Sequence, residues 1–331
     1  MNNDMKSKRK KLCMLLASCL AACTGTGLHA QEDGLRLHFD FEQVNGTSVT
    51  DASTSGITAT LKNGAKVEEM GKYHVLNLGN QSGYLDLSEK TGTLFKNMDA
   101  YTISMYYRVD ENASLSGAGF FLWSFSTSMA CTASEGKYSA YRLNAQRFAN
   151  STGGYQHETG IEIGGESEKG QWIHVLYTQN GKNGTLYLNG VRKGSNSSMP
   201  ANSENFNASI PYVWIGRAPF SADNYLKQTL VSDIRLYGKV LGTAEINALS
   251  QITEDLEHEF RYGTPGDFTA LRTAIREAED FLAGHAAIYP EAAVAIYLDE
   301  INMAKTLAEE GKVNQNVIDK QIMALAAAQN T

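Results

Sequence analysis

Carboxylates, guanidinium groups and polar amides crowd the stretch from Tyr138 to Glu166 of this 331-residue chain. In His157-Glu158-Thr159-Gly160-Ile161-Glu162-Ile163-Gly164-Gly165-Glu166, Glu158 and Glu162 fall on one face of an extended strand, as evenly spaced side chains do. Paired carboxylates cleave glycosides when they stand about 5 Å apart for retention or about 6.5–9.5 Å apart for inversion. Four residues of strand at ~3.3 Å each separate these two by about 13 Å. The spacing excludes that chemistry, and both acids read as solvent-face carboxylates. A phosphate-cradling glycine loop, a dinucleotide fingerprint, zinc-ligand spacing and a nucleophile elbow are also missing from the sequence. A non-enzyme is expected.

Sugar recognition asks for different parts: aromatic faces to lie against the ring and planar polar groups for the hydroxyls, on a concave or loop-ringed surface. Arg142, Asn144 and Gln146 alternate on one expected strand face, opposite Tyr141, Leu143 and Ala145. Arg147 leads into a loop, Ala149 to His157, whose Gly153-Gly154-Tyr155-Gln156-His157 a sandwich does not need for packing. A second cluster runs from Trp214 to Tyr225 and holds Arg217, Asp223 and Tyr225. The expected ligand-binding residues are therefore Arg142, Asn144, Arg147, Tyr155, His157, Arg217 and Tyr225. Trp123 and Trp172 sit in apolar strand contexts and read as core. Cys131, with no histidine base near it in sequence, reads as a small buried hydrophobe.

Short alternating runs must position these groups. Trp172 to Tyr177 and Thr185 to Leu188 are punctuated by Asn183-Gly184 and Asn189-Gly190, which predict two tight turns and a three-stranded meander. Similar runs begin at Leu37, Tyr73, Tyr84, Tyr101, Phe120, Val213 and Leu230, the spacing of an all-β sandwich with one large core. Beyond Leu249 the composition turns to Ala, Glu and Leu. Asp267 is the expected cap of a helix burying Phe268, Leu271, Ile275 and Leu282. Pro290 opens a second helix, Gly311 closes it, and Val317, Ile318, Ile322 and Leu325 mark a third.

The order W-x-H-V from Trp172, L-Y-x-N-G from Leu186, W-I-G from Trp214, D-I-R-L-Y from Asp233 and E-I-x-A-L from Glu245 resembles the laminin-G-like, concanavalin A-like jelly-roll family. Leu37-His38-Phe39-Asp40-Phe41 before Asn45-Gly46 and Asp51-Ala52-Ser53 agrees with that family's front end. The resemblance implies a mainly β, two-sheet antiparallel jelly-roll sandwich over residues 34–250, followed by a small three-helix segment over 251–331. It implies a lectin-like module whose partner is a polysaccharide or oligosaccharide, and which accompanies a glycan-degrading enzyme or an envelope protein. Two other readings stand beside it: a structural or protein-interaction module, and a glycosidase or lyase on the same fold. The family also places a structural calcium between the first and last strands, where Glu42, Asn45 and Asp233 are the candidates; oxygen donors suit that ion. Solvated edge carboxylates are the alternative. The helical phrasing Leu271 to Ala278 resembles the FIVAR-type connectors of bacterial surface proteins.

At the N-terminus, Lys6, Lys8, Arg9, Lys10 and Lys11 precede an apolar run from Leu12 to Ala22. The run is too short to span a bilayer and reads as an export signal, residues 1–22, with Leu20-Ala21-Ala22-Cys23 fitting a lipobox that makes Cys23 the lipidated N-terminus. Cleavage after Ala30 is the alternative. Either way the protein is expected outside the cytoplasm, at the cell envelope or outer membrane or secreted, touching membrane only through a lipid. The net charge of −7 deepens once that basic leader is gone, which disfavours nucleic acid.

Overall fold

A computed structural model describes residues 33–206, 209–263 and 266–329. The expected export signal, Cys23 and the alternative cleavage site after Ala30 lie outside the described residues. Seventeen strands occur among them: β1 (Leu35–Phe39), β2 (Val44–Asn45), β3 (Ser48–Thr50), β4 (Thr58–Lys62), β5 (Lys66–Met70), β6 (Tyr73–Asn77), β7 (Tyr84–Asp86), β8 (Ala100–Val109), β9 (Phe121–Ser126), β10 (Tyr138–Arg142), β11 (Arg147–Ser151), β12 (Glu158–Glu162), β13 (Trp172–Asn180), β14 (Asn183–Leu188), β15 (Val191–Asn196), β16 (Tyr212–Ile215) and β17 (Thr229–Tyr237). They form two antiparallel sheets. One runs β15-β14-β13-β8-β17-β6-β5 with β1 alongside β17, and the other β12-β11-β10-β9-β16-β7-β4-β3-β2. This is the expected mainly β jelly-roll sandwich with C-terminal helices.

Alternation explains the core. Tyr101, Ile103, Met105, Tyr107 and Val109 of β8 face Trp123, Phe125, Tyr141 and Phe148 of the other sheet, all at most 3% exposed. Phe148 stacks on Tyr177 across the sheets at 3.5 Å. Phe95, carried in by the helix α1 (Ser88–Lys96), closes one end against Tyr101, Phe125 and Phe206. A further short helix, α2 (Asn202–Asn205), follows β15.

The meander forms, with one turn displaced. Asn189 and Gly190 both take positive φ, 49° and 74°, and join β14 to β15 as expected. The other turn is not at Asn183-Gly184. Gly181, at φ 55°, makes it, and Asn183 pairs with Asn180 inside the ladder. Gly184 serves close packing instead, because a Cβ there would stand 2.2 Å from the Tyr177 hydroxyl and 3.0 Å from Met199. Gly184→Ala is expected to cost about 1–3 kcal/mol by overpacking, read as a lower thermal midpoint, whereas a glycine needed only for a turn would show no such clash.

Both faces of β13 are buried because helices cover its outer side. The helix α3 (Thr243–Leu249) packs Ile246 and Leu249 on Leu176 and Tyr237. The next, α4 (Thr253–Tyr262), lays Leu256 and Phe260 on Trp172, Tyr106, Met70 and Val75. The remaining helices, α5 (Thr269–His285), α6 (Glu291–Glu310) and α7 (Gln315–Ala328), have a core of their own around Leu271, Ile301, Ala304 and Ile318. Asp267 accepts from the Thr269 amide at 2.9 Å, Pro290 precedes α6, and Gly311 ends it in the left-handed region. Among the described residues no helix is long and apolar enough to cross a membrane.

Candidate functional site

The ladder registers decide which side chains share the outer face of the nine-stranded sheet. Arg142 pairs with Arg147, and Arg147 with Glu162; two rows along the same face, Tyr138 pairs with Ser151, and Ser151 with Glu158. Directly opposed residues point to the same side, so the arginines and carboxylates of β10, β11 and β12 form one patch. Trp214 of β16 and its ladder partners Ser124 and Asp86 lie on the same outer face, while Val213 and Ile215 enter the core.

The 217–225 segment crosses this face. Phe220 packs against Phe121 and Tyr138, and the Arg217 carbonyl accepts from the Ser124 hydroxyl at 2.9 Å. Cys131 lies beneath it, 7% exposed, with its backbone amide donating to the Pro219 carbonyl and its sulfur 3.3 Å from the Ser126 hydroxyl. Burial pushes the thiol up in pKa, so it stays protonated and inert. The loop carrying Tyr155 is tied here too: the Tyr155 and Gln156 amides donate to the Thr132 and Ala133 carbonyls. Gly154, at φ 67°, is required for that approach, since a Cβ would come within 2.4 Å of the Thr132–Ala133 backbone. Gly154 of this loop is thus a packing requirement, contrary to the expectation from sequence.

On one flank of the 217–225 segment, Arg147 bridges two acids, with Nη2 3.1 Å from Glu158 and Nη1 2.8 Å from Glu162. Arg142 reaches Glu158 at 3.7 Å, and the Tyr138 hydroxyl donates to it at 2.6 Å. Glu158 is not the solvent-face carboxylate that its spacing suggests, for its side chain is only 8% exposed. Burial first, and the adjacent carboxylate second, hold the Tyr138 phenol protonated. Burial also raises the Asp223 carboxyl, opposed by the charge of Arg142. A guanidinium occupies the space between Glu158 and Glu162, so the pair serves as scaffold.

On the other flank, the Arg217 guanidinium lies 4.0 Å from the Trp214 ring and 5.0 Å from that of Tyr84, with Tyr225 at 5.7 Å. Its Nη1 donates to the Tyr84 hydroxyl at 3.1 Å. Arginine carries five N–H donors, and among the described residues this hydroxyl is the one side-chain acceptor of Arg217. Arg217 and Tyr225 are both partly exposed.

All seven expected binding residues fall on or beside this face, but in different states. Arg142 and Arg147 are ion-paired, whereas Arg217 and Tyr225 form the aromatic flank. Tyr155 is 55% exposed with its ring 6.2 Å from Phe220, and His157 is exposed at the end of the same loop. Asn144 is not on a strand face. The chain turns at residues 143–146, with Gln146 at φ 43°, and the Asn144 amide donates to the Gly117 carbonyl at 2.7 Å. The alternation of Arg142, Asn144 and Gln146 is broken by this hairpin, and Ala149 to Ser151, expected as loop, are strand. Tyr84 carried no local signal because β7 meets β16 only through the sheet topology. The outward position of Trp214 was available from its alternation with Val213 and Ile215.

The calcium candidates do not gather. The Asp233 carboxylate takes hydrogen bonds from His38 Nε2 at 2.7 Å and Arg235 Nε at 2.8 Å. Glu42 faces His74 at 3.0 Å, and Asn45 is exposed in β2. The Asp233 carboxylate is thus already paired with an imidazole and a guanidinium. Among the described residues no three His, Cys, Asp or Glu side chains converge as metal ligands.

Solved structures share this architecture. Domain 4 of a GH43 extracellular arabinanase from Geobacillus stearothermophilus, in complex with arabinotriose, is 14% identical over 66% of this chain and 98% of its own, with a TM-score of 0.51. A botulinum neurotoxin type C structure, whose cell penetration is described as dependent on two ganglioside molecules, gives 16%, 69%, 53% and 0.52. The binding domain of botulinum neurotoxin DC in complex with SialylT gives 13%, 72%, 56% and 0.50. The chain spans about half the length of the neurotoxin structures it matches. Identities this low establish the fold alone. No curated protein matches the chain. Residues 78–247, from the end of β6 into α3, match the family model of the concanavalin A-like lectin/glucanases superfamily, of laminin G type, and the chain belongs to that superfamily.

Proposed function

We propose that this protein is a non-catalytic carbohydrate-binding module of an exported, lipid-anchored or secreted bacterial protein, and that it takes a polysaccharide or oligosaccharide on the outer face of the nine-stranded sheet. The observation that carries this reading is Arg217. It is partly exposed, stacked over Trp214 and Tyr84, and has one side-chain hydrogen bond for five donors. A guanidinium fixed by rings beneath it is pre-organised to donate to sugar hydroxyl oxygens without losing rotamer freedom. Tyr225 stands beside it at 5.7 Å, and Tyr155 borders the same segment through Phe220. Structures of this fold with arabinotriose and SialylT bound support a sugar ligand. Arg147 filling the space between Glu158 and Glu162 supports binding over cleavage by that pair.

Native gels cast with arabinan, galactan, β-glucan or mannan test the reading. The protein is expected to be retarded by at least one, and Arg217→Ala to weaken that retention at least tenfold, from ~1.5–3 kcal/mol of charge-assisted hydrogen bonding. A folded protein that migrates freely in all four would sink the proposal. A second reading, a protein-interaction module, is favoured by Ile296, Leu298 and Met303 of α6, which are 59%, 43% and 56% exposed; envelope pull-down in place of glycan retention would select it.

A further inference from the structure

A polar cleft of about 850 Å³ lies between the edge of the eight-stranded sheet and the start of α7. Met70, Val75 and Leu230 are among its apolar lining, and Glu68, Glu69, Asn77, Asp267, Asn316 and Asp319 supply polar groups. It adjoins a second cavity of about 320 Å³, which shares Asn77, Leu230, Asn316 and Asp319 and continues to Arg108 and Gln228. The combined space is large enough for several sugar rings, since ligand sites run from roughly 300 to 1,000 Å³.

We infer that this cleft is a second carbohydrate site, for an uncharged oligosaccharide, on the opposite sheet from the Arg217 face; the inference rests on the carbohydrate reading above. Its polar groups are held in place by one another. The Asn77 amide donates to Glu68 at 2.8 Å while its carbonyl oxygen accepts from the Gly79 amide at 2.8 Å. Gln315 accepts from the Asp267 amide at 2.9 Å and donates to Asp319 at 2.8 Å. Each carboxylate and amide keeps further lone pairs or N–H donors, so the wall presents fixed acceptors and donors to a hydroxyl-rich ligand. Asn316 is exposed, and among the described residues its amide has no partner.

Charge selects the class. Glu68, Glu69, Asp267 and Asp319 surround the larger cavity against Lys66, itself paired with Glu68 at 2.5 Å, and the cations of the smaller one, Arg108 and Lys320, are paired with Glu257 and with Asp110 and Glu111. That balance repels uronates, sialosides and phosphates. A dication is not the occupant either, because these acids do not converge in threes. Two sites on opposite sheets would let one chain grip a polysaccharide twice, and the second contact would gain from the first through effective concentration.

Calorimetry on the full mature chain with arabinohexaose, galactohexaose and cellohexaose tests this. The expected result is two sites per chain for a hexaose that binds. Asn316→Trp, which fills the cleft from an exposed position, and Glu69→Gln should each reduce two sites to one or weaken the second at least tenfold, with the melting temperature unchanged. Arg217→Ala should remove the other site only. One site per chain, untouched by both cleft variants and lost with Arg217→Ala, overturns the cleft and leaves the sheet-face reading standing. One site lost with Asn316→Trp and kept in Arg217→Ala supports the cleft and overturns the sheet face. No heat with any hexaose overturns both.

Discussion

Trp172→Ala is expected to lose about 3–5 kcal/mol of stability, the range for deleting a large buried aromatic that leaves a cavity. The size follows from position. Trp172 is 1% exposed and packs with Met70, Val75, Tyr106, Leu256 and Phe260, in a cluster separate from the inter-sheet core. Its indole N–H has no acceptor, so the side chain contributes by apolar contact. Truncation therefore loosens α4 on the sheet. Arg108 shares the consequence, since its guanidinium lies 3.8 Å over the Phe260 ring and 3.5 Å from Glu257 of the same helix. Urea titration followed by circular dichroism checks the magnitude. Amide exchange checks the mechanism: protection of residues 253–262 should fall with that of β13, while the core around Ile301 and Ile318 stays protected. A variant as stable as the parent would mean that α4 is not docked through Trp172.

Trp172 also shows how far the sequence reaches. The run Trp172 to Tyr177 is apolar at odd and even positions alike, which signals a strand buried on both faces. What covers the second face could not be read locally, because Leu256 and Phe260 lie some eighty positions downstream in a segment whose composition is that of any amphipathic helix. The same limit governs the site. Arg217 and Tyr225 were legible as a polar and aromatic cluster left over once strand residues were assigned. Tyr84, which orders Arg217, was not, since the contact depends on β7 lying beside β16. Asn-Gly at 183–184 misled because the dipeptide permits a turn without requiring one, and Gly181 is an equally permissive neighbour two residues earlier. Glu158 misled in the opposite direction. Its even spacing from Glu162 correctly put both acids on one face, but spacing carries no account of the Tyr138, Arg142 and Arg147 side chains that neighbouring strands bring against Glu158.

Acidification is expected to destabilise the protein between pH 6.5 and 4, with His174 as the main origin. His174 is fully buried, with Nε2 2.8 Å from the Ser104 hydroxyl, its ring 4.5 Å from Tyr106 and Nδ1 without a partner. Burial disfavours the imidazolium and brings the pKa down to about 4, with Arg235 adding to the effect and Asp233 opposing it. In the unfolded chain the group titrates at its ordinary 6.5. The unfolded state therefore binds more protons throughout this window, and stability must fall as pH falls through it. The gap corresponds to about 3 kcal/mol, fully present above pH 6.5 and gone below pH 4. Asp233 works in the same direction at lower pH. Burial raises its carboxyl, but His38 and Arg235 outweigh that and set it below the ordinary 3.8, so its contribution disappears as it is protonated there. Chemical denaturation at a series of pH values measures the slope. His174→Gln, which keeps a hydrogen-bonding side chain for Ser104 but cannot titrate, should flatten the curve between pH 6.5 and 4 and leave the steeper loss below it. An unchanged slope in that variant would assign the acid sensitivity elsewhere.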